Sequence, residues 1–245
     1  MSFSLVEIDE YSPEYGNYLT IGEKMIENVI KYTKKWLEIC DPIKYPNDYE
    51  NLKRKINFIT NYNWEPYLKL NYQIAKTKGM DPVALLCFTK QECDFDLKKQ
   101  SKRGVRGPLQ NTEKTTKEIM EAKMEEQNLP KPSYSQWRKI IWDIRHNPLD
   151  SLVIGAENVF AKLNRAKKII SSDKNTYPLA GAFHNAGVTG TLRGLSYEGI
   201  YYWYSLKINI PRIKAGKPWI DVYPNHKEIA KIKWQQFAEK HLTDA

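Results

Sequence analysis

The side chain best placed for acid–base chemistry is Glu92, which follows the apolar run 83–88 and precedes Phe95. Cleavage of a glycosidic bond requires an acid that is still protonated near neutral pH. Burial beside apolar groups favours the protonated carboxyl because it disfavours the charged form. Most glycosidases pair such an acid with a second carboxylate. Asp94 and Asp96 are the nearest candidates, but so close to Glu92 in sequence we expect them to be solvated or capping groups.

A second set of candidates lies further along the chain. Gly104 and Gly107 permit backbone angles that are closed to other residues, so the chain can pass close to a ligand there. Gln110 can both donate and accept hydrogen bonds. Asn185 follows a segment of small residues and precedes Gly187, a position that suits either a helix cap or a ligand contact. An ordinary glycine turn with a structural glutamine is the alternative for the first three.

The elements that must position these residues are mostly helices, because apolar residues recur at helical spacing along most of the chain. We expect residues 1–16 to be extended or loose and residues 113–128 to form an exposed helix. Asp81-Pro82 is a strong helix start, with an aspartate cap and a proline in the first turn. The full set of predicted helices is 20–39, 48–60, 65–76, 82–92, 113–128, 133–145, 147–170, 179–186, 197–210 and 225–242. The fold class predicted is mainly α.

Four segments between residues 80 and 210 carry motif-like spacing. They are Glu92-Cys93-Asp94-Phe95 followed by Ser101, Gly104, Val105, Gly107, Leu109, Gln110 and Thr115; Asn147-Pro148-x-x-Ser151-Leu152-x-x-Gly155; Ala182-Phe183-His184-Asn185-Ala186-Gly187; and Tyr204-Ser205-Leu206-Lys207-Ile208. In this order they resemble the motifs of the soluble lytic transglycosylases, a family of the lysozyme-like superfamily. The resemblance covers a little over half of the chain.

The resemblance implies a lysozyme-like domain at 62–215, preceded by an N-terminal helical region at 1–61 and followed by a basic C-terminal helical tail at 216–245. It implies that Glu92 protonates the β-1,4 bond between N-acetylmuramic acid and N-acetylglucosamine in peptidoglycan. Glu92 would then take the proton of the muramic C6 hydroxyl, which attacks C1 and leaves a 1,6-anhydro sugar, so no second carboxylate is required. The residues implied to bind substrate are Cys93, Gly107, Gln110, His184, Asn185 and Tyr204.

Several positions depart from the family pattern. The family usually has Ser at the position of Cys93, Leu at Pro108, Tyr at His184 and Ile-Met-Pro at residues 111–113. About thirty residues also separate the first segment from the second. The cysteine weakens a hydrogen bond that orients the glutamate, and the histidine alters the wall beside the sugar. Tyr204 is implied to hydrogen-bond near the glutamate, although core packing is an equal alternative. Hydrolysis by water, as in a goose-type lysozyme, stays open.

Composition limits the other classes. The formal net charge of +9 favours anionic partners, but the lysines and arginines are scattered and no nucleic-acid module accompanies them. Three cysteines without a C-x-x-C pair and four distant histidines predict neither a disulfide framework nor a metal site, and we expect no cofactor. No run of 18 apolar residues and no signal-peptide pattern is present.

We therefore expect a chain made in a host cytoplasm without a signal peptide and acting on the cell wall. That combination suggests a bacteriophage endolysin or a virion-associated enzyme, with peptidoglycan glycan strands and other phage tail proteins as partners. A structural tail or baseplate protein that keeps a lysozyme-like fold is the alternative from another class. A basic nucleic-acid binder would instead show strong salt-dependent affinity for DNA.

Overall fold

The computed structural model describes residues 5–102, 104–170, 173–193, 196–222 and 226–242. Within these ranges the predicted mainly helical fold is confirmed, and the only β pairing is two isolated bridges, Gln100 with Arg106 and Arg106 with Asn111. The described helices are α1 (Pro13–Ile39), α2 (Pro46–Asn61), α3 (Glu65–Thr77), α4 (Pro82–Cys93), α5 (Glu113–Glu126), α6 (Tyr134–His146), α7 (Pro148–Ile169), α8 (Asp173–Ala186), α9 (Val188–Arg193), α10 (Tyr197–Lys214) and α11 (Lys227–His241).

Helix boundaries differ from the prediction mainly at prolines. Helix α1 begins seven residues early, so residues 13–16, expected to be loose, are helical; Ser12 caps it by accepting a hydrogen bond from the Tyr15 amide. Helix α8 begins before Pro178, and α10 continues through Pro211. A proline removes one hydrogen bond from a helix interior, and packing of α8 against α7 and α10 compensates for that loss. Helix α9 was not predicted. Residues 1–4 and 225 of the predicted segments lie outside the described residues.

Helix α4 lies at the centre of the main hydrophobic core, and residues 83–88 are all buried. It packs against α1, α3 and α10, while α8 packs between α7 and α10. Tyr18 of α1 and Trp234 of α11 belong to the same core as Phe88. This shared core crosses the predicted boundaries at 61/62 and 215/216, which stay predictions.

Helices α5 and α6 form a smaller second cluster over α7. Met120 and Met124 of α5 are buried there against Trp137 and Ile141 of α6. The expectation of an exposed helix at 113–128 was therefore wrong for one face, because two methionines four residues apart share one side of a helix. The residues that separate the first two motif segments form this helical pair.

The three cysteines occupy two kinds of position. Cys87 and Cys93 are buried, and burial raises the pKa of both thiols, whereas Cys40 is partly exposed at the end of α1. None of the described helices combines the length and hydrophobicity that a membrane-spanning segment needs.

Candidate active site

The structure places Glu92 in the last turn of α4. Asp81 starts this helix by accepting hydrogen bonds from the amides of Val83 and Ala84, and Asp94 ends it in the left-handed conformation with φ of 54°. The apolar face of the helix enters the core, so the helix delivers Glu92 at the core boundary. Its side chain is 14% exposed, which leaves the carboxyl within reach of a ligand.

One carboxyl oxygen of Glu92 is held by two side chains from other helices. The hydroxyl of Tyr202 on α10 donates to Oε1 at 2.7 Å, and Nε2 of His184 on α8 lies 3.2 Å from the same atom. Burial, and next the charge of Glu92 and this hydrogen bond, raise the pKa of Tyr202 well above its ordinary value, so Tyr202 stays a donor. Within the described residues no hydrogen bond reaches Oε2 of Glu92. Oε2 is therefore the oxygen available to a substrate.

The hydrogen bonds of His184 define its tautomer. Nε2 lies 3.1 Å from the carbonyl oxygen of Leu109, which can only accept, so Nε2 carries a proton. Nδ1 lies 3.3 Å from the amide nitrogen of Asn158 on α7, which can only donate. A ring with its proton on Nε2 makes both hydrogen bonds, with that proton directed to the Leu109 oxygen. The edge of Phe88 also packs near this ring, with 6.2 Å between ring centroids.

The loop between α4 and α5 is held next to Glu92 at several points. Lys99 Nζ donates to the backbone oxygen of Glu92 at 3.0 Å, and His184 binds the Leu109 carbonyl. Gln110 uses its side-chain amide inside the loop, where Nε2 donates to the Lys99 oxygen at 3.1 Å and to the Gly107 oxygen at 2.9 Å. Gln110 therefore shapes the loop, and this is the structural alternative left open by the sequence.

Position 107 requires glycine because of its backbone conformation and because a side chain there would have no room. Its φ is +83°, and a Cβ at this position would lie 2.0 Å from the Ser151 hydroxyl oxygen on α7. Asn111 Nδ2 donates to the Ser151 backbone oxygen at 3.4 Å, and a Cβ on Gly155 would lie 2.6 Å from Leu109 Cβ. The loop and the start of α7 are thus in close contact. The α7 segment therefore contacts the loop, whereas His184 of the third segment contacts both the loop and Glu92.

Asp94 and Asp96 face α2 and are committed to ion pairs. Asp96 is buried and receives both terminal nitrogens of Arg54, the closer at 2.8 Å. Asp94 pairs with Lys55 and with Lys90, the latter at 2.5 Å. Burial raises the pKa of the Asp94 carboxyl, but the two lysines outweigh burial and hold it below its ordinary value. The expectation of a solvated or capping group was wrong for Asp96, which is buried against Arg54, whereas Asp94 takes the capping position at the end of α4.

Two residues predicted to bind substrate are placed elsewhere. Tyr204 packs on Trp203, with ring centroids 6.3 Å apart. Residues 202 and 204 are about 200° apart around a helix, so when Tyr202 faces Glu92 Tyr204 faces the other side. The hydrogen bond to Glu92 comes from Tyr202 instead. Cys93 is buried and donates to the Thr89 backbone oxygen at 3.3 Å, one turn earlier in α4. Asn185 is exposed at the end of α8, immediately after His184.

Sequence reasoning missed three residues of this site: Tyr202, Asn158 and Lys99. Residues 201–204 are all aromatic, so the pattern does not tell which ring faces α4. Ser205 gives a partial signal, because it lies one turn beyond Tyr202 and donates to Gln91 of α4 at 2.6 Å. Asn158 lies outside every motif, and Lys99 is one of many lysines.

A scan of the sequence against protein-family models and a search of curated proteins both find no match.

Proposed function

We propose that the protein cleaves the glycan strands of bacterial peptidoglycan at the β-1,4 bond between N-acetylmuramic acid and N-acetylglucosamine, with Glu92 as acid and then base. The fold that accompanies this proposal is lysozyme-like, with the helical pair α5–α6 inserted between motif segments. The observation that carries the proposal is the Glu92 carboxyl itself. It lies at the core boundary with Oε1 hydrogen-bonded to Tyr202 and 3.2 Å from His184 Nε2, and Oε2 accepts no hydrogen bond within the described residues.

This arrangement suits a reaction that uses one carboxyl twice. Because Oε1 accepts the hydrogen bond of the Tyr202 hydroxyl, the acidic proton of the neutral form would be carried by Oε2. Oε2 would give that proton to the glycosidic oxygen in the first step. The same oxygen, as a carboxylate, would take the proton of the muramic C6 hydroxyl in the second step. The bond from C1 to the leaving oxygen breaks, a bond from C1 to O6 forms, and Glu92 ends protonated as it began.

The neighbouring carboxylates support the single-carboxyl scheme. Asp94 and Asp96 are paired with basic residues of α2 and α4. A classical two-carboxylate glycosidase would need one of them free. The formal net charge of +9 adds a general attraction to anionic cell-wall polymers. We further propose a role in bacteriophage lysis or entry, with peptidoglycan as the partner.

The test is product analysis. Purified protein is incubated with peptidoglycan from several wall types, and the released fragments are weighed by mass spectrometry beside a Glu92→Gln control. We expect fragments that end in 1,6-anhydro-muramic acid from the wild type and none from the control, because glutamine cannot give or take the proton.

Two other results have defined meanings. Reducing ends, heavier by one water, would make the protein a lysozyme-type muramidase that uses the same carboxyl. No release from any wall type by the wild type would overturn the enzymatic proposal and favour a structural role in a phage tail or baseplate.

A further inference from the structure

A cavity of about 750 Å³ lies between the end of α1, the helix α2 and the chain segment that follows Glu92. We name it the α1–α2 cavity; its lining includes Trp36, Tyr45, Asn51, Arg54, Asp96 and Lys99. Its volume falls within the range of small-molecule sites, about 300 to 1,000 Å³. The motif resemblance does not extend to residues 1–60, so nothing in it assigns a role to this cavity.

One wall of the cavity continues directly from the catalytic segment. Cys93 and Asp94 line it immediately after Glu92, and Lys99 lines it while its ammonium donates to the Glu92 backbone oxygen at 3.0 Å. The cavity and the acid therefore lie on two sides of one short stretch of chain. Sugar units beyond the cleaved bond would have to pass along this stretch of chain to reach the cavity.

The rim of the cavity carries two half-exposed aromatic side chains. Trp36 and Tyr45 are each 48% exposed. Exposed large aromatic rings are costly in water unless a partner covers them, and they combine an apolar face with a polar edge. A pyranose ring matches such a surface, since its C–H faces pack on the ring and its hydroxyls bind polar neighbours.

The charged side chains that line the cavity balance, and two acidic ones are paired. Three basic residues line it, Arg54, Lys55 and Lys99, and three acidic ones, at positions 48, 94 and 96. Arg54 is bound to Asp96 and Lys55 to Asp94. This wall offers donors and acceptors without a strong field, which suits neutral hydroxyl and acetamido groups better than phosphate or nucleic acid.

Helix α2 contributes little to the core that would otherwise explain its position. Ile59 is its one fully buried residue within a helix of 16 residues. Its attachment to the loop after Glu92 comes from the ion pairs of Arg54 and Lys55. Helix α2 packs along α1 and is joined to the segment after Glu92 by two ion pairs, so it forms one wall of the cavity.

We infer that the α1–α2 cavity binds N-acetylated sugar units of the glycan strand, as a subsite beyond those around the cleaved bond. This inference rests on the proposed function for the identity of the polymer. The subsite would lengthen the stretch of strand that the protein holds, so its loss would weaken binding of long strands more than binding of short ones.

The experiment measures binding of peptide-free glycan strands, long and short, to the inactive Glu92→Gln protein by isothermal titration calorimetry. Trp36→Ala and Tyr45→Ala are added singly to that background. The matched control is Trp142→Ala, because Trp142 is an exposed tryptophan (61%) on α6 that does not line the cavity. Thermal melting of each variant shows that the fold is kept. Product release is measured in the same variants with Glu92 intact.

We expect each cavity variant to weaken binding of long strands by about three- to tenfold, since aromatic stacking contributes about 0.5 to 1.5 kcal/mol, with short strands and Trp142→Ala unchanged. Equal binding by all folded variants would overturn the subsite even if the wild type releases anhydro products. Weaker long-strand binding in a protein that releases no products would support the subsite and remove the catalytic proposal. An absence of strand binding by every protein would overturn both.

Discussion

Replacing Tyr202 with phenylalanine tests the candidate site most directly. The change removes one hydroxyl and keeps the ring, which is 4% exposed and packs near Phe88. The lost interaction is the donor to Glu92 Oε1 at 2.7 Å. Glu92 Oε1 would then accept no hydrogen bond from the described residues, and the carboxyl would be free to rotate. We expect a lower rate of product release with little loss of stability.

The magnitude follows from the type of bond. A hydrogen bond to a charged group contributes about 1.5 to 3 kcal/mol, and about 1.4 kcal/mol corresponds to a factor of ten in rate. The raised pKa of Tyr202 keeps its hydroxyl protonated, so the full interaction is present throughout the assay range. Tyr202→Phe should therefore reduce the rate of anhydro-product release by about tenfold to about a hundredfold.

The matched control is Tyr204→Phe, the same chemical change two residues along α10. Tyr204 is also buried and packs on Trp203, and within the described residues its hydroxyl makes no hydrogen bond. We expect its rate to stay within about twofold of the wild type. A large loss in Tyr204→Phe with none in Tyr202→Phe would refute the placement of Tyr202 as the residue that positions Glu92.

Two further predictions concern stability. Gly107→Ala should destabilise the fold by about 3 kcal/mol or more, because the new methyl group clashes with Ser151 and the backbone has positive φ. Gly104→Ala also has positive φ but open space around the new methyl group, so it should destabilise the fold by about 1 kcal/mol. The free energies of unfolding in urea of the two variants test this difference. Asp94 has a lowered pKa, so its ion pairs stabilise the fold above about pH 4 and are lost as pH falls through its folded value. Asp94→Asn should thus lower the melting temperature at pH 6 and match the wild type near pH 2; an equal deficit at both values would contradict the assignment.

Much of the helical framework was predictable because its signals are local. Asp81-Pro82 and Asn147-Pro148 each combine a capping side chain with a proline in the first turn, and α4 and α7 begin there. The same signal stands at Ser12-Pro13, and the apolar pattern from residue 20 onward concealed it. Pro178 was expected to precede α8, but it lies inside the helix. The rule that a proline marks a helix boundary does not take account of the packing of α8 between α7 and α10.

The candidate site was predictable only in part, because its contacts join distant segments. Glu92 stands out through the motif spacing and the apolar helix before it. The choice of Tyr202 over Tyr204 depends on how α10 is rotated against α4, and four successive aromatic residues present a ring on every face. The contact of His184 with the Leu109 carbonyl uses a backbone atom, which leaves no trace in residue types.

Because one cysteine is partly exposed and two are buried, thiol labelling can measure local opening of the fold. A thiol reagent in solution meets Cys40 first, since it is partly exposed, and reaches Cys87 and Cys93 only when the core opens. The reagent reacts with the thiolate, and burial raises the pKa of the Cys87 and Cys93 thiols, so these two thiols react slowly in the folded protein. The first equivalent of label therefore modifies one position, beside Trp36 and Tyr45. Labelling of the two buried cysteines follows at a rate set by transient opening around α4. Mass spectra taken over time therefore report the free energy of local unfolding of α4, which is otherwise measured by hydrogen exchange.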